Sequence, residues 1–494
     1  MYTNVYHHSL SGFPGPRLAA ATRLYEFYYD SIKVGSYIWE IDRMHKKYGP
    51  VVRISPNELH VNEPSFIDTL YAGPHKIRNK HGDFYRGFGI PGAPFATVLH
   101  DLHSTRREAV SRLFTIPNLA KLQPVVHSKV EKLCSNMDVF AGSGKPLSLN
   151  DAFCCMTTDI VTEFAFGLCW NYLDSKDFGT NLHKAIIAQM RLSLTAKHFP
   201  WVAKAVMMLP RWLALHLAPD LEEFVIYENR VTEEVHRVMA MHEKGIQHTD
   251  KNYRTIFTEL LNSSLPPHEK TAKRLVDEAF VIVDAGTDTT AHVMTVVMFH
   301  LLSQPVTLAR LQQELRTAIP NSDQIPDWRS LEALPYFNAT VTEGLRLSYG
   351  ASARLPRVAP FETMHLQSSK GPGGPSEWYI PAGTAVGMHN VLIHHDESIF
   401  PDSKAFRPER WLDEKGRRHR RLDGYLLTFS KGTRQCLGMN LGYFEAYTCL
   451  AAMVLRFSHR MQLFETDASD VEFKHDVFEP VSELSSQGVR VLIK

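Results

Sequence analysis

The chain has 494 residues, 44% of them hydrophobic, enough to bury a large core and an enclosed ligand. Its 54 Lys and Arg nearly balance 53 Asp and Glu, so bulk charge gives no pull toward nucleic acid and only local patches could steer partners. Six cysteines without repeated spacing exclude a disulfide framework and a structural zinc site, and neither a run of about 18 apolar residues nor a signal-peptide pattern is present, so a non-secreted chain in a reducing compartment is expected.

No internal repeat, low-complexity tract or Gly/Ser-rich linker divides the chain, which predicts one continuous unit. "VVRIS" and "ELHVN" (51–55 and 58–62), parted by Pro56 and Asn57, predict a short hairpin. "GFGIPG" (87–92) matches G-x-G-x-x-G but contains Pro91, follows no clear strand and opens no clear helix. It reads as a flexible lid over a pocket rather than a dinucleotide loop. "WVAKAVMMLPRWLALHLAP" (201–219) is apolar with two tryptophans, and reads either as a buried helix pair or as a peripheral membrane contact.

A long helix is predicted from just after Pro267 to about Pro305, roughly 55 Å at 1.5 Å per residue, enough to cross a whole domain. Its middle, "AGTDTT" (285–290), puts a glycine, three threonines and an aspartate where a core helix would carry Leu or Ala, so a local bend or widening is expected there. A second helix, Tyr336 to Leu347, carries "EGLR", with Glu343 and Arg346 on one face. "KGRRHRR" (415–421) is a basic run, and the C-terminal "GVRVLIK" predicts a strand.

Between the basic run and that strand lies "FSKGTRQCLG" (429–438), just ahead of an apolar helix beginning near Asn440 with Leu441, Phe444, Leu450 and Val454 as its buried stripe. Cys154, Cys155, Cys169 and Cys449 read as small buried hydrophobes. Cys436 differs, because a following helix N-terminus and the cation Arg434 favour thiolate, while Gly432 and Gly438 permit tight turns and close approach. Such a thiolate is either a nucleophile or a metal ligand, and with only His419 nearby in sequence these residues alone leave that open.

The loop as a whole resembles the cysteine loop of the cytochrome P450 superfamily, in which aromatic, Gly, Arg, Cys and Gly recur at these spacings; the usual second-position glycine is Ser430 here. "EGLR" and "PERW" (408–411) resemble the family's charge triad, implying a buried scaffold of Glu343, Arg346 and Arg410. "AGTDTT" resembles its oxygen-activation segment, "HSTRR" (103–107) and "ARLPR" (353–357) its propionate-binding segments, with His103 where a Trp is usual. Five motifs stand in the family's order from about 103 to 438.

The resemblance implies a mainly α fold with small β-sheets, a single haem-enclosing domain crossed by one long kinked central helix. Residues 1–30 would be an N-terminal segment and Pro-rich hinge lacking the membrane anchor, and 31–494 the catalytic domain. It implies haem b with Cys436 as axial metal ligand; Arg107, Arg357, Arg434 and His103 on the propionates; Phe429 shielding the sulfur; and Asp288 and Thr289 as the catalytic acid and alcohol for dioxygen activation. The implied partners are a small apolar substrate, dioxygen and a separate NADPH-cytochrome P450 reductase docking on the basic run, with the protein monomeric. The implied location is the cytosolic face of the endoplasmic reticulum membrane if an anchor was removed or a peripheral contact applies, and otherwise the cytoplasm. "LSGFPGPRLAAATRLYEFYYD" (10–30) and "RLPRVAP" (354–360) resemble the filamentous-fungal, trichodiene-oxygenase-like branch, which implies a terpenoid or polyketide substrate.

Overall fold

The computed structural model describes residues 1–494 except 180–181, 210–212, 214–220, 247–251, 369–373 and 375. Helices dominate and the strands form small sheets, as expected. The predicted hairpin is present: β1 (Val51–Ser55) and β2 (Glu58–Val61) pair antiparallel, Val51 opposite Val61 and Val52 opposite His60, with both strands buried throughout. Three short strands, β3 (Asn79–Lys80), β4 (Arg357–Val358) and β5 (Ala385–Gly387), extend it in the order β1-β2-β5-β4-β3. The β3–β4 register sets Lys80 directly opposite Arg357. Like charges facing across an antiparallel pair are destabilising, so this corner calls for an anion. The predicted C-terminal strand is also present, β6 (Arg490–Ile493), paired with Met461–Leu463 and Leu147–Ser148.

Six helices position the site: α1 (His100–Ser111), α2 (Leu149–Phe166), α3 (Leu182–Ala196), α4 (Ala272–Ser303), α5 (Pro335–Ser348) and α6 (Met439–Ala452). The central pillar α4 has 32 residues, about 48 Å, and starts five residues past Pro267 because Pro267–Lys270 forms a separate 3-10 turn. Its helical pattern is continuous through 285–290, so the expected bend does not interrupt it. The polar residues there serve packing instead. Gly286 lets α2 approach so closely that a Cβ would stand 2.7 Å from Val161 Cγ2, and the α2 hydroxyls of Thr157 and Thr158 bond the Thr287 carbonyl (2.8 Å) and hydroxyl (3.1 Å). Helix α6 begins at Met439 and buries the expected Leu441, Phe444 and Leu450, while Val454, also buried, falls in the π-helical turn Met453–Phe457 that follows; every residue from Phe444 to Ala452 is buried, so α6 is a core cylinder rather than a half-exposed stripe.

The N-terminal segment packs on this frame. Leu10 is buried, the Pro14 carbonyl accepts the Arg53 amide at 2.7 Å, and Glu26 and Asp30 bind Lys197 at 2.8 and 2.6 Å. Of the apolar stretch 201–219, Trp201 and Met208 are 66% and 84% exposed, which is not a buried pair; residues 210–212 and 214–219 lie outside the described residues.

Candidate active site

The cysteine loop is fixed from both ends. Its 3-10 turn, Gly432–Arg434, begins with Gly432 at φ +69°, where any Cβ would meet the Tyr71 and Ala72 carbonyls. Gly438 by contrast has φ −80°, and a Cβ there would make only ordinary contact with Cys436 Sγ at 4.0 Å, so its conformation needs no glycine. Ser430 sits at φ +54° with its buried hydroxyl unpaired, which explains why glycine is usual there and makes the loop locally strained. The Cys436 amide donates to the Phe429 carbonyl at 2.9 Å, closing the loop, and Phe429 packs on Tyr443 of α6, 5.2 Å between centroids.

Beneath the loop lies the buried charge scaffold. Arg346 grips Glu343 in a two-pronged pair (2.9 and 2.8 Å) and donates to the carbonyls of His394, Ser403 and Ala405; Glu343 also accepts from Arg410, the Arg407 amide and the Trp411 indole, each at 2.9 Å. Burial alone would raise Glu343; Arg346 and Arg410 hold it below the usual carboxylate range. His394, not foreseen from the sequence, connects this scaffold to the loop. One ring nitrogen bonds the Arg346 carbonyl (2.8 Å) and the other accepts the Leu427 amide (2.9 Å), which requires a neutral ring, and burial with the Arg346 charge pushes its pKa down to about 3.

Above the loop is a large cavity between α3, α4, α6 and the sheet. Phe88, Ile90, Phe95, Met190, Phe280 and Phe478 make much of its wall apolar and aromatic. "GFGIPG" contributes Phe88 and Ile90 to that wall; its Gly92 amide bonds Asp277 of α4 (2.8 Å), and it is followed by a short 3-10 turn, Pro94–Ala96, rather than by an α-helix. Cys436 is the cysteine among the described lining residues, and its side chain is open to this interior space. Burial raises the thiol, opposed by the Gly438 amide, the Arg107 charge and the Met439 amide. The cation beside the sulfur is therefore Arg107, which also bonds the Gln435 carbonyl (2.7 Å), and not Arg434.

Arg434 instead turns to the Thr97 and Val98 carbonyls (2.8 and 3.0 Å), leaving its Nε unpaired, and lines the cavity with Arg357 and Lys80. Lys80 was not legible as a site residue; only its pairing with β4 brings it here. Burial, then Arg357, drives Arg434 down to about 9; burial and the three arginines push Lys80 well below its usual range. His103 is buried behind them, held near 2 by burial and the same cations, so it is a neutral ring off the cavity wall. Among the described residues, none of Lys80, Arg107, Arg357 and Arg434 has a salt-bridge partner. A desolvated cluster of like charge is unfavourable until an anion joins it.

On α4, Thr289 lines the cavity and donates to the Ala285 carbonyl at 2.7 Å. Asp288 does not line it: its carboxylate meets His183 Nδ1 at 2.5 Å, the Cys154 thiol at 3.3 Å and the carboxyl of Glu479. Burial would raise Asp288, but His183 and these bonds hold it well below the usual range. The acids facing the cavity are Asp284 and Glu479, which the sequence did not single out. Burial and the Asp288 charge raise Asp284 to about 7 and Glu479 well above its usual range.

A flat metal-bearing ligand with two carboxylates satisfies the open sulfur and the unpaired cations together, and the apolar wall suits a porphyrin face, which places the chain in the class of haem-thiolate proteins. Residues 28–478 match the family model described as Cytochrome P450. The chain is 39% identical over 495 residues to a cytochrome P450 monooxygenase of Ascocoryne sarcoides (98% of this chain, 94% of that one). It is 37% identical over 491 residues to a tryptophan 6-hydroxylase of Fusarium equiseti (99% and 93%), and 35% identical over 488 to a conidiogenone synthase of Penicillium rubens (98% and 94%). The chain belongs to the cytochrome P450 family. It is an oxygen-incorporating oxidoreductase that uses haem b on a cysteine thiolate, with a substrate, dioxygen and a redox partner.

Proposed function

We propose that Cys436 is the axial ligand; that Arg357, Arg434 and Lys80 hold the propionates, with Arg107 steadying the cysteine loop and His103 filling space behind it; and that Phe429 screens the sulfur. The reading rests on one observation: a cysteine in a braced loop opens onto a largely apolar cavity whose cations, Lys80, Arg357 and Arg434, have no salt-bridge partner among the described residues. Haem, when bound there, supplies the oxidative chemistry. The chain's own contribution is to hold the thiolate with two amides and Arg107, to keep the cavity dry with its aromatic wall, and to position Thr289 for holding dioxygen or a water while protons arrive.

The relatives include a tryptophan 6-hydroxylase and a conidiogenone synthase, and with the large apolar wall they support a terpenoid, polyketide or aromatic skeleton as substrate. Co-expression with a reductase and a panel of such scaffolds should give a product heavier by one oxygen atom; no oxygenated product from any scaffold, with haem loaded, would count against a hydroxylating or epoxidising role. In the same assay Thr289→Ala should lower product formed per NADPH consumed by about tenfold or more, leaving haem content unchanged.

Electrons would come from a separate NADPH-cytochrome P450 reductase. Only part of the basic run is available to dock it. Arg417 is paired with Asp413 (2.8 Å), and Arg418 bonds Asp423 (2.6 Å) and Asn338 (2.8 Å) over the Trp411 ring, whereas Arg420 and Arg421 are exposed. Neutralising Arg420 and Arg421 should slow reduction and flatten its salt dependence, since rim charges act mainly on encounter rate. Arg418→Gln should instead lower stability; equal kinetic effects from both would reject the docking assignment.

We read the chain as a monomer at the cytosolic face of the endoplasmic reticulum membrane. Exposed Leu24, Ile32, Trp201 and Met208 support a peripheral contact, with Phe27 edge-on to Phe199 (5.0 Å) joining the two segments. No single helix among the described residues is long and apolar enough to cross a membrane.

A further inference from the structure

Asp288 is separated from the cavity by another side chain. At about 100° per residue its position on α4 falls between those of Val281 and Asp284, and both of these line the cavity. Asp288 does not, because Glu479 lies between it and the open space, bonded to Asp288 and itself part of the cavity wall. One Glu479 oxygen, Oε2, is buried without a partner. On its far side Asp288 meets His183 at 2.5 Å, and the His183 side chain is 33% exposed yet absent from the cavity wall, so water reaches it from outside. A continuous file of side chains thus runs from solvent through α3 and α4 to the cavity.

We propose that Glu479 is the group that delivers protons into the cavity, refilled from solvent through His183 and Asp288. The inference rests on the monooxygenase reading. Two carboxyl groups in hydrogen-bond contact share one proton, and the Asp288 charge, matched by His183, leaves that proton on Glu479. In one cycle Glu479 gives its proton to an acceptor in the cavity and becomes a carboxylate. A proton on His183 then passes to Asp288 and from Asp288 to Glu479, and His183 takes a proton from surface water. One proton crosses from solvent to cavity, no bond other than O–H and N–H changes, and the electrons come from the reductase. The other titratable groups facing this file are Asp284, Asp151, His292, Lys184 and the Cys154 thiol. Among them only Asp284 lines the cavity, and Asp284 has no described bond to His183.

The test uses the haem-loaded enzyme with a reductase and a panel scaffold that the parent oxidises. Glu479→Gln keeps the shape and removes the acid. It should keep the thiolate spectrum of the reduced carbonyl complex and substrate affinity within about twofold, while product per NADPH falls about tenfold or more and peroxide rises. Infrared spectra of the resting protein should show a protonated carboxyl band, shifted in heavy water, that loses one component in this variant. His183→Phe, at the half-exposed outer end, should reproduce the uncoupling and carries the test if Glu479→Gln fails to load haem. Unchanged product per NADPH in both variants overturns the relay. So does a loss confined to substrate affinity, which would make Glu479 a recognition contact. A parent protein without the thiolate spectrum would instead refute the underlying monooxygenase reading.

Discussion

Cys436→Ser protein is expected to fold, to bind little haem, and to lose the reduced carbonyl spectrum of thiolate-bound iron together with all oxygenase turnover. The sulfur is open to the cavity rather than packed in the core, so shortening its reach by a fraction of an ångström removes little packing, and the unfolding midpoint should stay within a few degrees of the parent's haem-free form. The ligand chemistry does change. The Gly438 and Met439 amides and Arg107 can stabilise a thiolate, whereas a serine hydroxyl keeps its proton under the same field. Absorption spectra of the reduced carbonyl complex decide the matter: an unaltered thiolate spectrum in the serine protein would place the iron on another residue, and the whole assignment would fall with it.

Arg346→Ala should give no soluble haem-loaded protein. Removing one partner of a fully buried ion pair costs about 3–5 kcal/mol, a large share of the roughly 5–15 kcal/mol that holds a domain folded. Here the loss is compounded. Glu343 keeps Arg410 and Trp411, but the carbonyls of His394 and Ser403 lose their donor in a dry interior, and that of Ala405 keeps only a long bond from Arg410, 3.4 Å. The loss spreads to the cysteine loop through His394, which connects the Arg346 carbonyl to the Leu427 amide, and through Thr428, whose hydroxyl bonds the Leu345 carbonyl at 2.7 Å. Arg346→Lys, with one point charge in place of a planar fork, should fall between the two. Haem content per chain and denaturant midpoint measure the series; near-parental stability of the alanine protein would mean that the scaffold is not what holds the loop.

What the sequence revealed was local in chain or carried by short spacing. The cysteine loop, the Glu343–Arg346 pair at i and i+3, the hairpin at 51–61 and the pillar helix all depend on neighbours within a few residues, and all formed close to their predicted bounds. Residues brought in by distant pairing were not legible. Lys80 is an unremarkable lysine until β3 meets β4 across some 280 residues of chain. His394 and Glu479 likewise gain their roles only from where the chain returns. The packing role of the polar centre of α4 was hidden for a related reason: its threonines and glycine answer α2, a partner that the helix's own periodicity does not disclose. Asp288 and Thr289 are adjacent in sequence but face different surroundings, because a side chain from near the C-terminus covers one and not the other.

The lysine and arginine facing each other at the edge of the sheet tie the lifetime of this enzyme to cofactor supply. A ligand that binds only the folded chain deepens its stability in proportion to the logarithm of ligand over dissociation constant, and the benefit concentrates where the repulsion is. Chains made faster than porphyrin is delivered should therefore open first at residues 79–80 and 357–358, exchanging their amide hydrogens early and offering proteases an entry there. Cellular abundance would then follow porphyrin availability even when messenger levels are constant.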